Sequence, residues 1–361
     1  MMIGGERLQS IWYDRNADTV CIIDQSRLPH EFEIIDLNNL GDACHAITSM
    51  QVRGAPLIGV TAAYGVYLAL RDDPASLEQA TQALLATRPT AVNLQWALQR
   101  MNQGLAATAV EQRVTQALEV AQLMEKEDIA ICEAIGEHGA AILANLWEAK
   151  RESQSALNVL THCNAGALAT VDWGTALAVV YKAVAAGVPV HVWVDETRPR
   201  NQGAALTCWE LGQQDIPHTL VVDNAGGHLM QQGKVDICVV GSDRTTLDGD
   251  VCNKIGTYLK ALAADDNAVP FYAAVPISSI DFSATQEGIP IEERAADEVS
   301  HITGLADDGL VKRVRVAPHG VAISNIGFDI TPARLVTGII TERGVFEASR
   351  ASLQQLSTAL D

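Results

Sequence analysis

Positive charge is scarce in this chain. Lys and Arg number 25 against 44 Asp and Glu, a net charge of −19 over 361 residues. Nucleic acids and anionic bilayers demand a basic face, so this balance argues against both as main partners. A small phosphorylated ligand fits the balance, because a pocket needs only two or three cations and a helix N-terminus. Ordered cysteine spacing is missing too. The seven cysteines (Cys21, Cys44, Cys132, Cys163, Cys208, Cys238, Cys252) form no Cys-x-x-Cys and no zinc-like Cys/His run, which predicts reduced thiols in a cytoplasmic protein. The opening "MMIGGERLQSIWYDR" meets charge at once and has no apolar signal core, so no secretion signal is expected. Nor is there an unbroken membrane-length run. The longest apolar stretch, "TALAVVYKAVAAGVPVHVWV", carries Lys182 in its middle and then Gly187 and Pro189, which predicts a buried helix followed by a strand. Internal repeats and low-complexity tracts are absent.

What remains is ordinary globular material, 48% hydrophobic and 19% charged, and long enough for about two domains. The first part offers strand-like "SIWYD" and "VCIIDQSRL" and then helical periodicity. "APLIGVTAAYGVYLALR" is small or apolar on nearly every face, as a buried helix is. "SLEQATQALLATRPTAVNLQWALQRM" predicts two helices, the second restarting at Pro89. A long helix is expected from about Gln116 to Trp147, followed by the polar link "EAKRESQSA".

From Asn158 the rhythm changes. "NVLTHC", "VPVHVWVDE", "HTLVVD", "VDICVVGSD" and "VPFYAAVP" are continuous Val- and Ile-rich runs, as parallel strands covered on both faces are. "GTALAVVYKAVAAG", "GAALTCWELGQQ" and "NKIGTYLKALAADD" between them read as helices. The fold class is therefore α/β, a doubly wound parallel sheet behind a mainly helical N-terminal domain. We place the domains at 1–130 and 131–361, with the boundary within about 120–152.

Ligands of such sheets bind at the carboxyl ends of the strands. Cys163, the segment "DETRPRNQG", Asp223 and Asp243 all fall there. Cys163 reads either as a core thiol or as a reactive one, the latter helped by amides of a helix expected after Gly166. Its neighbour His162 points to the opposite face of a strand, which speaks against a Cys–His pair and for a hydrogen-bonded structural histidine. Asp243 reads either as a cap or partner of Arg244, or as a carboxyl held in a dry pocket and able to deliver a proton. Arg53, Arg88 and Lys254 each lie near an expected helix start, the ordinary chemistry of a phosphate site. Asp248 and Asp250 in "TTLDGDV" lack further metal ligands and read as a solvated loop.

The stretches "QVRGAPLIG", "RPTAVNL", "THCNAG", "DETRPRNQGA", "VVGSDR" and "GDVCNKIGTY", with "GFDITPARLVTGIITERG" near the end, resemble those of the methylthioribose-1-phosphate isomerases of methionine salvage. The wider superfamily also holds ribose-1,5-bisphosphate isomerases and regulatory subunits of a translation-initiation exchange factor. The resemblance implies a helical domain with a small antiparallel sheet, a Rossmann-like catalytic domain, a homodimer, and no metal or organic cofactor. It also implies that Cys163 and Asp243 are the catalytic pair. Arg53, Gly54, Ala55, Arg88, Gln202, Asn253 and Lys254 would bind the sugar phosphate, mostly around its phosphate. One departure stands beside the acid, where the family's "GADRIAANGD" is "GSDRTTLDGD" here, and "VDW" after "ALAT" is another. The implied reaction turns a 5-methylthioribose 1-phosphate into the ribulose 1-phosphate. Its rivals are isomerisation of 5-deoxyribose 1-phosphate or ribose 1,5-bisphosphate, and a regulatory binding subunit without catalysis. A thiol hydrolase is disfavoured because Cys163 lacks a paired histidine.

Overall fold

A computed structural model describes residues 1–88 and 92–359. Pro89, where a helix restart is expected, lies outside the described residues with Thr90 and Ala91.

The N-terminal part opens with a three-stranded antiparallel sheet of Ile11–Asp14, Thr19–Ile23 and Ile34–Leu37. The helix Ala55–Asp72 is buried continuously from Leu57 to Leu70, as its all-round apolar pattern predicts. It forms the axis of a core with Ile22, Leu84, Leu94 and Met101 from the surrounding elements. The expected long helix runs from Arg113 to Lys150. Its buried positions, among them Ala117, Ala121, Met124, Asp128, Cys132, Ile135, Gly139 and Leu143, recur every three or four residues. Ala117, Ala121 and Met124 join the N-terminal core, whereas Ile135, Ala140 and Leu143 join the core under the large sheet. By length and hydropathy alone this helix could cross a bilayer, but its buried stripe faces two protein cores. Gly139 lets it lie close against the helix Ala176–Ala185: a Cβ there would come within 2.2 Å of Val179 Cγ2.

The large sheet has seven strands in the order Gly344–Phe346, Gly338–Thr341, Phe271–Ala274, Ile237–Val240, Leu157–Thr161, Val190–Asp195, His218–Val221. All five expected strands are present and pair in parallel; the antiparallel strand is Gly344–Phe346 at one edge. His218–Val221 is the opposite edge and is not covered on both faces, so Leu220 and the following Val222 are exposed. The chain builds outward from Leu157–Thr161 to one side, then returns to build the other side from Ile237–Val240. Adjacent strands whose connections leave in opposite directions open a crevice at their carboxyl ends, and that is where doubly wound sheets bind ligands. Cys163 and Asp243 follow these two strands.

A second, four-stranded sheet of Ile280–Asp281, Arg244–Thr246, Val251–Lys254 and Phe328–Thr331 covers the crevice from one side. It changes the reading of "TTLDGDV". Asp248 is at the surface, paired with Arg350, but Asp250 is buried, accepting from Thr246 Oγ1 at 3.1 Å and from the Ala333 amide at 3.0 Å. The loop is a structural knot, because the polypeptide from Ala333 packs against it.

Candidate active site

Cys163 leaves its strand in the left-handed region, at φ +65°. That conformation is costly for a residue with a Cβ and persists only when neighbours impose it. Here the Cys163 amide donates to Thr197 Oγ1 at 2.9 Å and its carbonyl accepts from Thr207 Oγ1 at 2.7 Å. Both threonines are fully buried. His162 is the structural histidine expected. Its Nε2 donates to the Ile255 carbonyl at 2.9 Å and its Nδ1 faces the Asp195 carboxylate at 3.0 Å, so neither nitrogen is left for Cys163. His162, Asp195 and Asp223 bring donor atoms within 4.8 Å of one another, a metal-like cluster. The Lys260 ammonium already stands 3.1 Å from Asp195 Oδ2 and supplies the cation there.

The helix expected directly after Gly166 is not there. A short 3₁₀ turn, Ala167–Ala169, comes first, and the helix begins at Ala176. The amides of Ala167 and Leu168 donate to the buried Glu210 carboxylate at 2.8 and 3.0 Å. They are therefore not available to stabilise a thiolate at Cys163.

Asp243 follows Ile237–Val240 through Gly241 and Ser242, and its amide donates to the Cys252 carbonyl at 3.0 Å. Arg244 is not its partner; that guanidinium pairs with Asp281 at 3.6 Å. Burial pushes the Asp243 carboxyl above the usual carboxylate range, against the pull of Lys254, Arg53 and Arg88. An acid raised in this way keeps its proton to a higher pH than an exposed aspartate does.

The three cations arrive from three elements. Arg53 precedes the helix Ala55–Asp72, whose N-terminus has no side-chain cap, and Pro56 contributes no amide there. The amides of Ala55 and Leu57 have no acceptor within the helix, as at any helix start. Gly54 carries φ +95°, and a Cβ on it would lie 2.4 Å from the Ala169 carbonyl oxygen, so only glycine fits between this helix start and the Cys163 loop. Arg88 meets Glu292 at 3.4 Å, and burial lowers its guanidinium pKa. Lys254 donates to the Gly327 carbonyl at 2.9 Å and lies 4.2 Å from the Phe328 ring centroid. Burial draws its ammonium pKa down, opposed by Cys163 and Asp243 nearby. At the start of the helix Thr257–Asp266, near Lys254, two of the amides are already engaged. Asp329 takes the Gly256 amide at 2.7 Å and the Tyr258 amide at 3.1 Å.

Gln202 is buried with its Oε1 unpartnered, and Asn253 donates to Thr257 Oγ1 at 3.0 Å. Cys163, Asp243, Arg53, Gly54, Ala55, Arg88, Gln202, Asn253 and Lys254 all line one cleft. Sequence reading missed part of its wall. Glu292 and Arg294, in "IPIEER", line it as well, Arg294 being held by Glu292 at 2.9 Å and by Glu298 at 2.9 Å. A charged run after a proline resembles a solvated loop, and its two isoleucines gave no consistent sign of burial: Ile289 is buried and Ile291 is exposed. Met50, Ile58, Ile289 and Phe328 form an apolar flank of the same cleft.

Residues 51–348 match the Initiation factor 2 subunit family. The chain belongs to that family. Within it, the chain is 59% identical over 360 residues to the methylthioribose-1-phosphate isomerase of Methylorubrum extorquens, covering 99% of this chain and 98% of the relative. Identity to the enzyme of that name from Rhodospirillum rubrum is 56%, covering 99% and 93%. Among solved structures, 5-methylthioribose 1-phosphate isomerase from Pyrococcus horikoshii superposes with a TM-score of 0.83 at 36% identity, over 98% of this chain and 97% of that one. Subunit delta of the translation initiation factor eIF-2B from A. fulgidus gives 0.78 at 39%, over 94% and 96%. The resemblance read from the motifs thus extends along the whole chain.

Proposed function

We propose that this chain isomerises 5-methylthioribose 1-phosphate to 5-methylthioribulose 1-phosphate, a step of methionine salvage. The observation that carries the reading is a single cleft, at the reversal of strand order, that gathers a thiol, a raised carboxyl and three cations.

The chemistry has a specific obstacle. A phosphate on the anomeric carbon prevents the spontaneous ring opening of a free aldose, so an acid must protonate the ring oxygen before hydrogen moves from carbon 2 to carbon 1. In our reading Asp243 gives that proton, which requires the raised pKa that burial produces. Arg53, Arg88, Lys254 and the amides of Ala55 and Leu57 receive the phosphate, with the unpartnered Gln202 Oε1 left to accept from a sugar hydroxyl. Cys163 acts at carbon 1 or carbon 2 as acid/base or by stabilising the charged intermediate. The apolar flank excludes water and strengthens each of these contacts. Hydrogen moves either through a cis-phosphoenolate or by a direct hydride shift; substantial deuterium incorporation from heavy water excludes a fully internal shift. We also propose a cytoplasmic homodimer, which sedimentation of the purified protein tests.

The deciding experiment offers the purified protein 5-methylthioribose 1-phosphate, 5-deoxyribose 1-phosphate and ribose 1,5-bisphosphate. Ketose formation from the methylthio sugar supports the reading, and equal use of the deoxy sugar widens it. No turnover of any of them refutes it in favour of a binding subunit.

A further inference from the structure

Glu210 takes no step in the chemistry above, yet it is almost fully buried, at 1% exposure. Four neutral donors hold its two oxygens. Oε1 accepts from Asn164 Nδ2 at 2.9 Å and from the Leu168 amide at 3.0 Å. Oε2 accepts from the Ala167 amide at 2.8 Å and from the Tyr181 hydroxyl at 3.0 Å. The carboxyl fits there because residue 166 is glycine: a Cβ on Gly166 would lie 2.2 Å from Glu210 Oε2. Burying a carboxyl in this way is expensive, and burial pushes its pKa up.

Its importance lies in what Asn164 does next. The Asn164 Nδ2 is committed to Glu210 Oε1 and, at 3.2 Å, to Thr207 Oγ1. The Asn164 Oδ1 therefore faces the other way and accepts from Arg53 Nη1 at 2.6 Å, while the Asn164 carbonyl accepts from Arg53 Nη2 at 2.7 Å. A flipped amide would set its NH₂ group against the guanidinium. The acceptor at Glu210 thus decides which way the amide points, and Asn164 grips Arg53 with two acceptors, its side-chain oxygen and its backbone carbonyl, beside the phosphate end of the cleft.

We propose that Glu210 is a positioning residue: through Asn164 it orients the Arg53 guanidinium toward the substrate phosphate. The identity of that phosphate rests on the function proposed above; the orientation of Arg53 does not.

Glu210→Leu tests it, because it removes the acceptor that Asn164 Nδ2 now faces, together with those of Leu168, Ala167 and Tyr181. Two quantities are read: the rate at which phenylglyoxal modifies Arg53, mapped by mass spectrometry, and the separate values of KM and kcat. The variant should expose Arg53 to modification about fivefold faster and raise KM about tenfold, with kcat within about threefold of wild type. Tyr181→Phe removes a donor from the same carboxyl without touching Asn164; it should lower Tm and leave Arg53 reactivity and KM unchanged. Should the leucine variant not fold, Glu210→Asp keeps a carboxyl and withdraws it from Asn164, with the same readouts. An unchanged Arg53 modification rate in a folded Glu210 variant overturns the proposal, whatever the substrate. Faster modification together with a wild-type protein that turns over no methylthio sugar upholds the positioning and removes the proposed function.

Discussion

Asp243→Asn keeps the outline of the side chain and removes the proton proposed for the ring oxygen. A positioned general acid contributes about 10²- to 10⁴-fold, or about 3–5 kcal/mol of barrier, so kcat is expected to fall by that factor. Binding should not suffer. Asp243 stands among Arg53, Arg88 and Lys254, and a neutral amide in its place leaves those cations to the phosphate as the protonated acid does, so KM does not rise. The pH profile gives a second readout. An acid is active while protonated, so wild-type kcat/KM declines as pH rises through the raised Asp243 value; the asparagine variant has no such proton and loses this alkaline limb. Stability moves the other way. The folded state binds the Asp243 proton more tightly than the unfolded chain does, so ionising it costs stability as pH climbs from the ordinary carboxylate range through the raised value. Asparagine escapes that cost, and the variant should have a higher Tm than wild type on the alkaline side. Steady-state assay of ketose formation at pH values from the ordinary carboxylate range upward, with thermal melts in the same buffers, tests all of this. A variant with kcat within tenfold of wild type, or with the alkaline limb intact, would refute Asp243 as the acid.

Cys163→Ser should fold, since its amide and carbonyl bonds to Thr197 and Thr207 are made by the backbone, yet lose at least about 100-fold in kcat; near-normal turnover would return Cys163 to the core thiols. Gly54→Ala combines φ +95° with a contact of 2.4 Å to the Ala169 carbonyl, and should cost about 2 kcal/mol or more in urea melts and raise KM as the Arg53 helix start is displaced. Asp128 on the long helix is pushed to a pKa of about 7 by burial, so wild type loses stability as pH rises from the ordinary carboxylate value towards about 7. Asp128→Asn retains an acceptor for the Val171 amide and should flatten that dependence, gaining at most on the order of 4 kcal/mol above neutrality; parallel pH-dependent melts would expose the error.

Much of this protein is legible locally. Continuous Val and Ile runs identify the strands of a sheet covered on both faces, and they do so because a residue's burial period depends on its own element. The same rule marked Ala55–Asp72 as a buried helix and broke the apolar stretch at Gly187 and Pro189 into a helix and a strand. The motifs that carry the family resemblance lie within single loops, so their residues could be named in order, and the structure brings all nine to one cleft. The edge position of His218–Val221 was not visible, because strand order is a property of the sheet and not of the strand.

The failures share one physical cause. Amides after Gly166 and before Tyr258 look available for an anion until carboxylates from distant segments take them: Glu210 stands 43 and 42 positions from Ala167 and Leu168, and Asp329 73 and 71 from Gly256 and Tyr258. Arg88 meets a glutamate 204 positions away, and Asp250 is buried by a segment 83 positions on. Sequence by itself determined which elements form, which faces they bury and which side chains stand at the strand ends, since each follows from neighbours a few residues apart. Only the tertiary structure decided which donor meets which acceptor, that Cys163 turns left-handed between two buried threonines, and that the Asp243 carboxyl is raised above the usual range. Those properties arise when segments far apart in the chain close on one another and exclude water.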